Sequence, residues 1–290
     1  MLDNKKYIAI VGPTASGKTD MAIKLAKVFN GEIICADSRT IYRGMDIGTA
    51  KPKQTELNDI PHYLVDICDP TEEFSAAQFK LRAQECIEAI ASKGKIPFLV
   101  GGSGMYIDSV IYDYKFRNIQ SNKDIASIKS MSLEGLQKMA KEKEPYLFTK
   151  IDNKNRRRLE QLLIKGPAKD DDRFNTQPNC LVIGLSIKEP LLKQNIENRT
   201  KTMLNKNLIQ EVKNLIAQYG ECDVFRQTTG YAQVLQHIHG EITKDSLYER
   251  IVNATWQLSR KQMTWFRRNK NIVWVNNFKQ AQAYIKDYLK

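Results

Sequence analysis

From residue 7 to about 112, short apolar runs alternate with amphipathic stretches: YIAIV, a helical pattern over 18–29, EIICAD, HYLVDI, a second helical pattern over 75–92, and IPFLVGG. That rhythm predicts a parallel sheet wrapped by helices. Between about 115 and 176 the strand signals vanish. Helical patterns take their place around 123–131, around 133–142 behind Ser132 as an N-cap, and around 155–165. CLVIGLSI at 180–187 then reads as a buried strand returning to the first sheet, reached through the polar, turn-rich KDDDRFNTQPN. A helix follows over 188–219, interrupted near NKN and closed by Gly220; another spans 244–268, and NIVWVN is a last short strand. The expected organisation is an α/β core over 1–114, a helical insertion over 115–176, and completion of the core over 177–290.

Charge adds a bias towards a class of partner. Lys and Arg outnumber Asp and Glu by 45 to 33, a formal net charge of +12, which favours polyanions through long-range attraction. The five cysteines, Cys35, Cys68, Cys86, Cys180 and Cys222, are widely spread with no C-x-x-C pair, so reduced thiols are expected. His62, His237 and His239 show no metal-ligand spacing. MLDNKKYIAIVG lacks the apolar stretch of a signal peptide, and no run of 18 apolar residues occurs. A cytoplasmic protein that spans no membrane is the expectation.

The strongest local signal is GPTASGKT, residues 12–19, set between a strand and a helix. It fits the phosphate-binding G-x-x-x-x-G-K-[ST] loop of P-loop NTPase-like folds. Gly12 and Gly17 permit the turn, successive N–H groups curl around a di- or triphosphate such as that of ATP, Lys18 neutralises charge and Thr19 can hold Mg²⁺. EIICAD delivers Asp37 at the C-terminal end of its strand, where ligands bind in open α/β sheets. Asp37 is either a general base or a carboxylate that supports a metal or caps a loop. No apolar strand ends in Asp then Glu, which argues against a plain ATPase, whereas a small-molecule kinase stays open.

Two further signals are weaker. Gly101, Gly102 and Gly104 around Ser103 would let a bulky ligand approach the backbone. In TWQLSRKQMTWFRRNK, Arg260, Lys261, Arg267, Arg268 and Lys270 interleave with Trp256, Trp265 and Phe266, and NRRRLE carries Arg156, Arg157 and Arg158. Such clusters either bind a nucleic-acid backbone and stack on its bases, or turn their aromatics inward beneath a solvated face.

Taken in order, GPTASGKT, ADSRTIYRGMDIGTAKP, PHYLVDICDP, FSAAQF, VGGSGMY, NRRR, QTTGY and RKQMTWFR resemble the tRNA dimethylallyltransferase family from residue 7 to about 268. The resemblance implies transfer of a dimethylallyl group from its diphosphate to the exocyclic amine of the adenosine beside the anticodon, with Mg²⁺. It implies that Gly12, Pro13, Thr14, Ala15, Ser16, Gly17, Lys18 and Thr19 hold the diphosphate, aided by Arg260, with Thr19 near the metal. Asp37 would take the amine proton, with Lys18 and Thr19 sharing in catalysis. Ser38, Arg39 and Thr40 would surround the base, and Ser103, Arg157, Arg158, Gln227, Gly230 and Tyr231 would contact tRNA. The chain departs from the family pattern at Thr40 for Gln, Ser103 for Thr, Trp256 for Arg and Lys261 for Arg; Gln161 and Ala232 also replace basic residues. The partners implied are tRNA and dimethylallyl diphosphate, with the protein a monomer. Prenyl transfer to a free adenine nucleotide, a kinase, and an RNA-binding protein with a vestigial phosphate loop are the competing readings.

Overall fold

The computed structural model describes residues 5–52, 59–114, 122–165 and 179–290. The chain separates into two compact units, Met1–Asp113 with Thr176–Lys290, and Tyr114–Asn175.

The larger unit is built on a six-stranded parallel sheet of β1 (Tyr7–Val11), β2 (Gly31–Cys35), β3 (His62–Tyr63), β4 (Ile96–Gly101), β5 (Cys180–Leu185) and β6 (Val273–Val275), in the order β3-β2-β4-β1-β5-β6. β1 is buried along its whole length and pairs with β4 on one side and β5 on the other, Ala9 standing opposite both Leu99 and Val182. Its unbroken apolar run is what a strand covered on both faces requires. Helix α1 (Lys18–Val28) and α13 (Phe278–Leu289) pack on the sheet through Leu25, Ala26, Ala281 and Ile285 against Ile8, Ile10, Phe98 and Ile183.

The other helices of this unit are α2 (Ala76–Ser92), α3 (Gly104–Ile111), α8 (Glu189–Asn205), α9 (Leu208–Tyr219), α10 (Asp223–Gln227), α11 (Tyr231–Ile238) and α12 (Lys244–Phe266). Ser75 and Gln78 form a reciprocal capping box that starts α2. The break expected near NKN is real: Asn207 takes a left-handed conformation, φ 70°, and divides α8 from α9. HYLVDI, by contrast, is a strand for two residues only. Leu64 and Asp66 have φ of 62° and 54°, which ends the extended run, and Asp66 pairs with Lys51. A second apolar cluster lies away from the sheet, where Ile41, Tyr42 and Met45 pack against Leu208, Val212, Tyr231 and Leu247.

The smaller unit consists of α4 (Asn122–Ser130), α5 (Leu133–Lys143), α6 (Pro145–Lys150) and α7 (Arg156–Lys165) around Ile128, Leu136, Ala140, Leu159, Leu162 and Leu163. Ser132 caps α5 by accepting from the Gly135 amide at 3.1 Å. The polar linker read at KDDDRFNTQPN lies, but for Asn179, outside the described residues.

Candidate active site

The phosphate loop leaves β1 at the C-terminal edge of the sheet. Gly17 takes φ 84° at the cap of α1, a conformation that costs a residue with a side chain far more. Lys18 bends back so that Nζ donates to the Pro13 carbonyl at 2.6 Å. Burial pushes its pKa from 10.5 down to about 8; the Asp37 carboxylate opposes that fall and the Arg199 guanidinium adds to it.

Asp37 leaves β2 at the same edge, and its Oδ1 accepts from the Arg39 amide at 2.9 Å, which fixes the turn that follows. Ser103, at the exit of β4, accepts from the Ser38 amide at 2.9 Å, and its Oγ lies 3.2 Å from Ser38 Oγ. Arg199 comes from α8: Nη1 donates to Thr14 Oγ1 at 3.2 Å and Nη2 to the Thr49 carbonyl at 2.9 Å. Burial lowers the Arg199 pKa, and the nearby Asp37 opposes that shift.

Two cavities adjoin at this edge. The smaller, about 90 Å³, is lined by Lys18, Thr19, Cys35 and Thr40; the larger, about 170 Å³, by Ser38, Arg39, Ser103 and Gln227–Gly230. Thr14, Asp37, Thr49, Arg199 and Gln262 line both. The arrangement therefore puts the Lys18 ammonium with the Thr19 and Thr40 hydroxyls on one side of a carboxylate, the Ser38 and Ser103 hydroxyls with the Arg39 guanidinium on the other, and the Arg199 guanidinium on the wall between.

Several residues singled out in the sequence sit elsewhere. Arg260 is exposed and lines an outer depression with Gln257, Lys261, Thr264, Trp265 and Arg268, not the cavities at the phosphate loop. Tyr231 is wholly buried: its ring abuts Gly48 and its hydroxyl donates to Glu211 at 2.6 Å, so it supports the fold where a tRNA contact was expected. The glycines of VGGSG give close approach to the protein itself, and Gly101 and Gly102 also line the smaller cavity. A Cβ at Gly101 would strike the Ala36 carbonyl, one at Gly102 the Gln262 amide, and one at Gly104 the Trp265 ring. Trp256 turns inward onto the cluster of Leu192, Ile196 and Val252. Trp265 Nε1 donates to the buried Asp108 at 2.7 Å, and the Arg268 guanidinium lies over its ring at 3.9 Å. Arg157 and Arg158 are exposed at the start of α7, within the smaller unit.

Arg199, Thr49, Gln262 and Glu211 were not foreseen. Arg199 did carry a signal. It falls on the apolar stripe of Leu192, Ile196 and Met203, where a cation is out of place unless something anionic faces it.

The family model described as IPP transferase matches residues 40–269. The chain belongs to the IPP transferase family. Among its IPP transferase relatives, a tRNA dimethylallyltransferase of Staphylococcus haemolyticus is 38% identical over 94% of this chain and 87% of its own. One from Acetivibrio thermocellus is 38% identical over 95% and 92%. Among solved structures, a tRNA isopentenylpyrophosphate transferase of Bacillus halodurans superposes with a TM-score of 0.75 at 32% identity, covering 99% of this chain and 96% of the other. A eukaryotic dimethylallyltransferase acting on tRNA gives a TM-score of 0.82 at 25% identity, covering 99% and 80%. The IPP transferase fold thus extends over the α/β core and its insertion alike.

Proposed function

We propose that this chain transfers a dimethylallyl group from dimethylallyl diphosphate to the exocyclic amine of the adenosine 3′-adjacent to the anticodon of tRNA, releasing diphosphate. The observation that carries this reading is the position of Asp37 on the wall shared by a cavity at the phosphate loop, lined by Lys18 and Thr19, and a roomier one lined by Ser38, Arg39 and Ser103. The diphosphate fits the first, against the loop amides, Lys18 and the start of α1. The base fits the second, between Ser38, Arg39 and Ser103. As the amine nitrogen bonds to the allylic carbon, the carbon–oxygen bond breaks and its electron pair leaves with diphosphate; Asp37 accepts the amine proton. Lys18 and Arg199 face the charge that gathers on the departing oxygen. An adenosine stacked in a loop must be turned out to reach such a cavity.

The oxygen donors near the phosphate loop suit Mg²⁺. Among the described residues no three His, Cys, Asp or Glu side chains cluster as a metal cage, but Thr19 and Asp37 line one cavity. Mg²⁺ is commonly held by one or two protein oxygens together with substrate phosphates and water. Thr19 would hold it, and bound there it would neutralise charge on the diphosphate. We read the working form as a cytoplasmic monomer, which predicts a solution mass of one 33.3 kDa chain.

The test is incubation of the protein with unmodified tRNA, dimethylallyl diphosphate and Mg²⁺, followed by nucleoside mass spectrometry. One adenosine per substrate tRNA should gain the mass of a dimethylallyl group; no gain refutes the reading. Asp37→Asn should lower the rate by about 10²–10⁴ with tRNA affinity retained.

A further inference from the structure

Ile251, Thr255, Leu258 and Gln262, spaced i, i+4, i+7 and i+11, line the larger cavity, and Gln262 reaches furthest towards the phosphate loop. Its side-chain amide is used at both ends. Oε1 accepts from the Thr14 backbone N–H at 2.8 Å, and Nε2 donates to the Gly102 carbonyl at 3.0 Å. One planar group thereby ties the phosphate loop after β1 to the glycine turn after β4, which carries Ser103. Thr14 is held from two directions, its amide by Gln262 and its hydroxyl by Arg199.

We infer that Gln262 is a positioning residue for the allylic diphosphate. By engaging the Thr14 amide, it aims the Thr14 hydroxyl and the amides that follow it at the substrate. The inference rests on the proposed transfer reaction for the identity of the diphosphate. Gly102 supplies the second half of the device. A Cβ built there would meet Gln262 Nε2 at 2.6 Å, while the next atoms, Gln262 Cδ and the Gly12 carbonyl, stand at 3.4 and 3.5 Å. Gly102 is a glycine, on this view, because the amide of Gln262 needs the space a methyl would fill.

The test combines Gln262→Leu, Gly102→Ala and the double variant. For each, calorimetric titration with inorganic diphosphate is set beside steady-state transfer to tRNA. Loss of the bridge should raise the inorganic diphosphate Kd and the KM for dimethylallyl diphosphate about tenfold, the worth of one hydrogen bond with good geometry. The KM for tRNA should move less than about twofold, a split that general loosening of the fold would not give. Gly102→Ala should reproduce the effect with Gln262 in place, and adding it to Gln262→Leu should cost nothing more. If Gln262→Leu does not fold, Gly102→Ala alone carries the test. Unchanged or tighter diphosphate binding in either variant, or additive effects in the double, would overturn the inference. Wild-type protein that binds diphosphate but prenylates no tRNA would instead overturn the proposed function, leaving the diphosphate titrations to judge Gln262.

Discussion

The two loops that flank Asp37 differ in how far each depends on distant parts of the chain. The phosphate loop sets its own turn and is tied from afar at one residue: Gly17 sets the turn, Lys18 bonds to Pro13 five residues back and α1 begins where the loop ends, while Gln262 and Arg199 hold Thr14. The segment 38–50 is shaped from afar. The Glu211 carboxylate on α9 accepts the amides of Asp46, Ile47 and Gly48 at 3.1, 2.7 and 3.2 Å, the Tyr231 hydroxyl completes its shell, and Arg199 grips the Thr49 carbonyl. The turn of one wall is thus written locally and tied at Thr14 to distant helices, whereas the other is written by helices 150 or more residues further along the chain. Damage to the first should be chemical and damage to the second mechanical.

Lys18→Met should have the largest effect. It should depress transfer by at least about 100-fold, the scale of losing an electrostatic contact to the developing charge, without lowering the unfolding temperature. The fold does not need that cation: a lysine pKa pulled down to about 8 means the native state disfavours the ionised form. Glu211→Ala comes next and should reverse the pattern. Three amides lose their acceptor, so urea titration should show about 2–3 kcal/mol less stability, and both substrate KM values should rise while the pH profile keeps its shape. The Lys18 titration gives an intermediate effect. Between pH 8 and 10.5 the unfolded chain holds a proton that native Lys18 has lost, so the wild type gains stability relative to Lys18→Met as pH rises through that window. Inorganic diphosphate, which needs the ionised lysine, should bind more weakly over the same window, and in Lys18→Met this inflection should be absent. Tyr231→Phe should be the mildest, about 1 kcal/mol by thermal unfolding, because Glu211 keeps its three amides.

The same contrast explains what could be read from the sequence. Lys18, Thr19 and Asp37 could be brought together in advance, because parallel strands deliver their C-terminal ends to one edge and the loop motif marks its own strand. β1, β4 and β5 were legible from continuous apolar runs, and Ser132 from its capping chemistry. The helix at Gly104–Ile111 was not, since GMYIDSVI is buried nearly all round and has no polar face to set a period. HYLVDI misled because alternation says nothing of the left-handed turns at Leu64 and Asp66. Arg260 and Tyr231 were placed by motif order alone. Motif order does not say which face of a helix a residue occupies, and here Arg260 points out and Tyr231 in. Gln262 was hidden among more conspicuous charges and tryptophans, although its neighbours on the helix already spelled the i, i+4, i+7 stripe.

The central place of β1 in the sheet has a consequence for how the protein is made. Its partner β4 emerges from the ribosome before the insertion and β5 after it, so one edge of β1 waits unpaired while the intervening segment is synthesised. At ~5–20 residues per second that wait lasts several seconds, with an apolar strand edge of the kind that recruits stray strands on view. The nascent chain is therefore most in need of chaperone protection in the interval between Gly101 and Cys180, when the phosphate loop already exists and only four of the six strands of the sheet that supports it have been made.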